Sequence, residues 1–401
     1  MNEKMPDPPA CMHAAVMEQA DALRTLALDL HAHPELAYAE VKACAWQVKM
    51  LKRWGFEVET PWAGMPTAYR ACMGTGRPAF GLMAEYDALP KIGHGCGHNL
   101  ICTAALGAAF ALSRVMRAEN LRGSVVLLGT PAEESGGGKV ELMAQDGLRG
   151  VDAVIMAHPS HRTVPDPGCT AITRFRVNFK GLSAHAAGSP ELGRNALDAV
   201  MLLFQGVNAW RQQLPESSRI HGVVSEGGEM PNIIPDSACC LFYLRSPDDR
   251  VLRDMTARFK RIVKGAALMT DTEATIEPWQ KPYKARWPNR TLNRLYYEAA
   301  GACGMEPHTV SRPGRGSSDF GNVSQALPGA HVYFGISHGE IASHSVAFAE
   351  ASGSAFGLDR MLKAAEALAL VGYRYLIDPA VRRAARRDFS ADRKGRNRID
   401  A

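Results

Sequence analysis

The sequence predicts an α/β protein, with a mostly parallel central sheet covered by helices and a smaller inserted domain of β-α-β-β-α-β order. Two observations predict it. Before about residue 170, apolar residues spaced three and four apart alternate with short, continuous apolar runs, the pattern of helices packed on strands buried on both faces. After about residue 170, half-exposed alternating strands and two amphipathic helices follow in the split βαβ, or ferredoxin-like, order. The 401 residues suffice for two cores, since a single core stops growing at about 250–300 residues.

Taken in order, the apolar spacing predicts helices over 14–32 and 40–54, a strand over 79–84, a buried helix over 101–117, and strands over 124–130 and 152–158. "TAITRFRVNFK" is expected as a strand, 193–214 as a helix, and "RIHGVVSEG" and "DSACCLFYLRS" as two more strands. "RVLRDMTARFKRIVKGAALMT" reads as a second helix and "TEATIEPW" as the last strand of the insert. A helix over 291–303, a Gly/Ser-rich turn over 312–322, the strand "GAHVYFGI" and a long helix over 353–376 then complete the first domain. The expected division is 1–169 with 288–401 for the first domain, and 170–287 for the insert. No internal repeat and no low-complexity segment is visible.

Composition excludes several classes. With 46 basic and 41 acidic residues, the net charge of +5 is too mild for a nucleic-acid partner. The basic stretch from Arg382 to Arg398 is expected to be a solvated helix end followed by a frayed tail. Nine scattered cysteines, including the adjacent Cys239 and Cys240, do not form a disulfide framework, and a reducing cytoplasm suits them. The acidic, proline-bearing start is not expected to be a secretion signal, and the longest apolar stretches, such as 101–112, are shorter than the roughly 20 residues of a membrane helix.

The chemistry gathers at the expected strand ends, where ligands collect in parallel sheets. "HGCGHN" at 94–99 offers Cys96 and His98, "PAEES" offers Glu133 and Glu134, and His158 closes the strand at 152–157. "SHGEIASHS" adds His338 or His344. A catalytic divalent ion needs several N, O or S donors and one open position. In the Glu133-Glu134 pair, one carboxylate can bind metal while its neighbour acts as general base.

"GLMAEYDALPKIGHGCGHNL", "GTPAEESGGGK", "FKGLSAHAAGSPELGRNALDAV", "PNIIPDSA", "GSSDFGNVS" and "ASHSVAFAEASGS" resemble, in order, the signature blocks of the M20 metallopeptidases. The resemblance is to the amidohydrolase branch that includes p-aminobenzoyl-glutamate hydrolase and related dipeptidases. It implies a zinc-peptidase-like catalytic domain with one or two Mn2+ or Zn2+ ions per subunit, and a lid domain that also forms a homodimer. By that resemblance Cys96, His98, Glu134, His158 and His344 are metal ligands, Glu133 is the general base, and His185 reaches the substrate carbonyl of the partner subunit. His338 stays the competitor of His344. Asn232, Arg245, Arg315 and Ser317 are expected to bind substrate, with Arg312 beside them as another guanidinium for an anionic group. Where the wider family has His-x-Asp this chain has Glu85-Tyr-Asp87, so Glu85 is left open as a ligand and Asp87 is expected to orient a ligand imidazole.

Three functions compete on these grounds. One is hydrolysis of the amide bond of an N-acyl or aminoacyl amino acid, an aromatic acyl group being among the options. A second uses the same activated water to displace the amino group of an aromatic acid, releasing ammonia. A third is a catalytically silent binding protein, which has no use for Glu133.

Overall fold

A computed structural model describes residues 10–311 and 313–397. The chain begins with helices α1 (Ala10–Glu18), α2 (Ala20–Ala32) and α3 (Val41–Arg53), then strands β1 (Glu57–Glu59), β2 (Tyr69–Thr75) and β3 (Ala79–Glu85). Helix α4 (His98–Ala118), β4 (Gly123–Thr130), α5 (Gly138–Ala144) and β5 (Ala153–Ser160) follow. Next come β6 (Ala171–Lys180), α6 (Ala196–Arg211), β7 (Arg219–Glu226), β8 (Ser237–Ser246), α7 (Asp249–Met269) and β9 (Glu273–Tyr283). The chain continues through α8 (Arg290–Ala302), α9 (Phe320–Ser324), β10 (Gly329–Gly335), α10 (Val346–Gly353), α11 (Ala355–Ile377) and α12 (Pro379–Asn397).

Two compact units emerge. The first holds the residues up to Gly168, Trp287–Gly314 and those from Asp319 on; the second holds Cys169–Arg286 and Arg315–Ser318. The sheet of the first unit has the order β1-β2-β4-β3-β5-β10. The four strands β4, β3, β5 and β10 run parallel, while β2 and β1 are added antiparallel at one edge. β3 and β4 are buried along their whole length, which explains their unbroken apolar sequences. Each fully buried Val, Leu or Phe there contributes about 1.5–3 kcal/mol relative to exposure. Because the central strands are parallel, Glu85 and Thr130 end side by side in register, and the loops that follow open on one end of the sheet.

Several expectations need correction. The helix expected over 14–32 is two helices, broken at Gln19, whose side chain accepts a hydrogen bond from Trp54 Nε1 at 3.2 Å. The short strands β1 and β2 and the helices α5, α9 and α10 carry too weak a periodicity to be read. His158 lies inside β5 rather than closing it, paired with Tyr333 of β10. Helix α4, 21 residues, is long and apolar enough by composition to cross a membrane, yet its apolar residues lie in the core under α11.

The basic C-terminal stretch is also more structured than expected. It is helical to Asn397, with Val381 and Ala385 buried against the first core. Arg382 donates to the carbonyls of Tyr375 and Leu376 at 2.8 and 2.7 Å, neutralising the last carbonyls of α11. Arg398 and Arg312 lie outside the described residues.

In the second unit, β7, β8, β6 and β9 form an antiparallel sheet in that order. Helices α6 and α7 cover one face, where Phe175, Val177, Phe242 and Leu244 meet Leu203, Val207, Phe259 and Val263. Both helices start on side-chain caps: Asn195 accepts from the amides of Leu197 and Asp198, and Asp248 from those of Arg250 and Val251. The face without helices carries Arg174, Tyr243 and Arg245, which alternate with the buried set.

Candidate metal centre

Three loops and one strand of the first unit bring six donor residues together. Cys96 comes from the turn before α4 and His98 from its first residue, Glu133 and Glu134 from the loop after β4, His158 from β5, and His344 from the loop before α10. Ligand atoms lie within 4.8 Å of one another in three overlapping sets: Cys96, His98 and His158; Cys96, Glu134 and His344; His98, Glu133 and Glu134. Cys96 Sγ is 3.5 Å from His158 Nε2 and 3.4 Å from His344 Nε2. Glu134 Oε1 is 3.5 Å from His344 Nε2 and 3.8 Å from His98 Nε2.

The local backbone explains how such short segments converge. Gly97 has φ +74, and a Cβ there would stand 2.5 Å from Pro159 Cγ, so only glycine lets the Cys96–His98 turn close onto the residue after His158. His344 itself has φ +60, and its N–H donates to Gly95 O at 2.9 Å. Ala132, just before the glutamates, has φ +61. Left-handed backbone at a non-glycine residue costs about 1–3 kcal/mol and persists where the surroundings hold it.

The imidazole protons are assigned by their partners. His98 Nδ1 lies 3.1 Å from Asp87 Oδ1, and His158 Nδ1 lies 2.7 Å from the carbonyl of Pro159. Both partners only accept, so each Nδ1 carries a proton, which leaves Nε2 as the ring nitrogen able to hold a cation. Asp87 also accepts the Glu134 amide at 2.9 Å, tying the ligand turn to the glutamate loop. His98 Nε2, Glu134 Oε1 and Glu85 Oε2 are buried and make no hydrogen bond with the described residues. Buried polar atoms of this kind call for a partner. Mixed thiolate, imidazole and carboxylate donors suit a borderline divalent cation such as Zn2+ or Mn2+.

Without a cation the charges are in conflict. Burial, then the Glu134 carboxylate, pushes the Cys96 thiol well above its usual range. Burial, then Glu85 and Glu134, does the same to Glu133, and burial together with Asp87 raises Glu134. Burial disfavours a charged His98, but the hydrogen bond to Asp87 and the nearby Cys96 sulfur overcome it and raise this imidazole well above normal. A cation would reverse each of these directions.

Sequence reasoning missed the pair beside the cluster. Lys139 is fully buried, with its ammonium against Glu85 Oε1 and 2.9 Å from Asp319 Oδ1. Its amide donates to Asp319 Oδ2 at 2.9 Å. Glu85 thus has one oxygen on a lysine and the other 3.6 Å from His98 Nε2. The lysine of "GGGK" and the aspartate of "SSDFG" were the only signals, and a lone lysine in a glycine-rich loop reads as solvated.

The remaining candidates are placed apart from this cluster. His338 packs on Phe356, with ring centroids 4.1 Å apart, and is in none of the donor sets. His94 is buried against His31. In the second unit, His185 and Asn232 are neighbours on the surface, joined by the Ala186 amide to Asn232 O at 3.0 Å. His185 Nδ1 accepts from the amides of Ala187 and Gly188, which leaves its proton on Nε2. Arg245 donates to Ser317 Oγ at 2.9 Å, and Thr170 Oγ1 contacts both Ser317 Oγ and the carbonyl of Arg315, whose side chain is exposed.

Comparison with known proteins places this geometry in a lineage. The chain is 36% identical over 397 residues to the Xaa-Arg dipeptidase of Mus musculus, covering 93% of this chain and 90% of the relative. It is 34% identical over 287 residues to one subunit of the p-aminobenzoyl-glutamate hydrolase of Escherichia coli (strain K12), covering 67% of this chain and 59% of the relative. The fold is similar to that of an aminobenzoyl-glutamate utilization protein from Klebsiella pneumoniae, at TM-score 0.68 and 21% identity, covering 90% of this chain and 97% of the other. It is also similar to a dinuclear metal-binding M20 peptidase from Bacillus subtilis, at TM-score 0.66 and 22% identity, covering 89% and 99%. Residues 81–370 match the profile of peptidase family M20/M25/M40, and the chain is a metal-dependent peptidase or amidohydrolase of that family.

Proposed function

We propose that the chain hydrolyses the amide bond of a small N-acyl or aminoacyl amino acid, in the cytoplasm, as a homodimer with one or two Mn2+ or Zn2+ ions per subunit. The observation that carries this reading is the pair of buried ligand atoms with no hydrogen bond among the described residues, His98 Nε2 and Glu134 Oε1, beside Cys96, His158 and His344. In this reading Cys96, His98, Glu134, His158 and His344 hold the ion. The dipeptide and the aminobenzoyl-glutamate in the relatives' names are both amino acids acylated on nitrogen, which sets the substrate class.

A divalent ion, when bound, polarises the scissile carbonyl and lowers the pKa of an adjacent water. Glu133 takes a proton from that water as its oxygen adds to the carbonyl carbon. The same carboxyl returns the proton to the amine nitrogen as the C–N bond breaks, and the remaining proton of the new carboxyl group passes to the amine, giving a carboxylate and an ammonium. Asp87 keeps the Nδ1 proton of His98 in place. His185 of a second subunit donates from Nε2 to the developing oxyanion. Asn232, Arg245, Arg315 and Ser317 orient the substrate, with Arg245 taking its carboxylate.

A panel of dipeptides, N-acyl amino acids and aminobenzoates, with amine and ammonia both quantified on metal-loaded protein, tests the reading. Release of a free amino acid without ammonia is expected. Ammonia from an aminobenzoate, with every amide left intact, would replace it with aromatic deamination.

A further inference from the structure

The segment "HAHPELAYAE", residues 31–40, contains none of the ligands, yet it contacts three of the segments around them. His31 Nε2 lies 2.8 Å from the carbonyl of Ala349, in the helix that follows His344. The carbonyl of Glu35 accepts the amide of Ala88, next to Asp87, at 2.8 Å. Tyr38 donates its hydroxyl to Gly136 O at 3.0 Å, and a Cβ on Gly136 would stand 2.4 Å from the Tyr38 ring.

The decisive contact belongs to Glu40, which is fully buried. Its Oε1 accepts two amides, Tyr38 at 3.0 Å and Ala132 at 2.8 Å, and its Oε2 accepts the Thr67 hydroxyl at 3.0 Å. Tyr38 and Ala132 are both non-glycine residues in left-handed backbone, at φ +63 and +61. One carboxylate oxygen therefore holds two strained residues on two loops, and the second is the residue from which Glu133 and Glu134 depart. Strain of this kind survives only where something over-determines it.

We propose that Glu40 is a positioning residue for the metal centre, fixing through Ala132 the direction in which Glu133 and Glu134 leave the sheet. The inference rests on the hydrolase reading above. It explains why a carboxylate is buried 92 residues away from the loop it serves. It also predicts a specific rescue, since glycine at 132 adopts the left-handed conformation without help.

The test uses cobalt-loaded full-length protein and compares Glu40→Ala, Glu40→Ala/Ala132→Gly and Tyr38→Phe. Tyr373→Phe is the control, since that hydroxyl donates to Glu119, an exposed residue at the far end of α4. Glu40→Ala should lower kcat about tenfold or more, with KM within about twofold, and alter the cobalt–thiolate absorption. Adding Ala132→Gly should restore most of the kcat and the native spectrum. Tyr38→Phe, which removes the Gly136 bond but neither amide to Glu40, should keep kcat within about threefold at unchanged Tm. Should Glu40→Ala fail to fold, Glu40→Ala/Ala132→Gly decides the matter: folded, active protein supports the inference, and failure to recover it overturns it. Wild-type kcat and spectrum in Glu40→Ala would overturn the inference, as would a double variant no better than Glu40→Ala. Wild-type protein that binds no cobalt would instead overturn the hydrolase reading.

Discussion

The candidate ligands of the first unit and the candidate substrate residues of the second are built differently. His98 and Asp87 are each 1% exposed, and every proton between them is assigned by a neighbour. His185, Asn232 and Arg315 are exposed, and Arg245 donates to the Ser317 hydroxyl and lies over the Tyr243 ring. The contrast to test is between a centre that is buried at His98 and open to solvent at His344, proposed to set the bond-breaking chemistry, and exposed residues of the second unit, proposed to set the substrate.

The strongest way to break this comparison is to remove the metal. Chelation should abolish turnover, and Mn2+ or Zn2+ should restore it. Because burial and Glu134 hold the Cys96 thiol well above its usual range, that proton must leave when a cation binds. Metal affinity should therefore rise with pH, about tenfold per unit for each proton displaced, as read by competition titration at several pH values. Activity unaffected by chelation, or affinity flat with pH, would separate the cluster from catalysis.

A smaller effect is expected from the second unit. His185→Ala should cost roughly 100–1,000-fold in kcat with metal content unchanged. Mixing His185→Ala with Glu133→Gln subunits should regain activity, since one site of a hybrid dimer then has both groups. Confirmed subunit exchange without recovery would place His185 within its own chain or outside catalysis. Smaller still, Arg245→Ala should raise KM roughly 10–100-fold for substrates with a free carboxylate and leave amidated analogues unaffected. Equal losses for both would deny Arg245 its carboxylate.

How much of this was legible follows the same division. Cys96 and His98 share one turn and Glu133 and Glu134 another, so residue types and strand ends sufficed to single them out. The choice between His338 and His344 did not lie in spacing; it depends on which imidazole the backbone seats beside Gly95. The parallel sheet was legible because strands buried on both faces have continuous apolar sequences, while β1 and β2, at the antiparallel edge, do not. Glu40 and Lys139 were invisible because a buried charge has the same letter as a solvated one, and their partners lie far away in sequence. In α12, Arg383, Arg386 and Arg387 are exposed as a solvated helix end requires, while Arg382 departs from that expectation and caps α11.

The account's central claim is that two adjacent carboxylates divide the labour of the site, and metal content measured beside turnover tests it most directly. Glu133→Gln should keep the fold and most of the bound metal while losing roughly 100–10,000-fold in kcat. Glu134→Gln should lose metal, and its activity should recover in part as the ion is supplied in excess. Metal lost in Glu133→Gln and retained in Glu134→Gln would exchange the two roles and contradict the account.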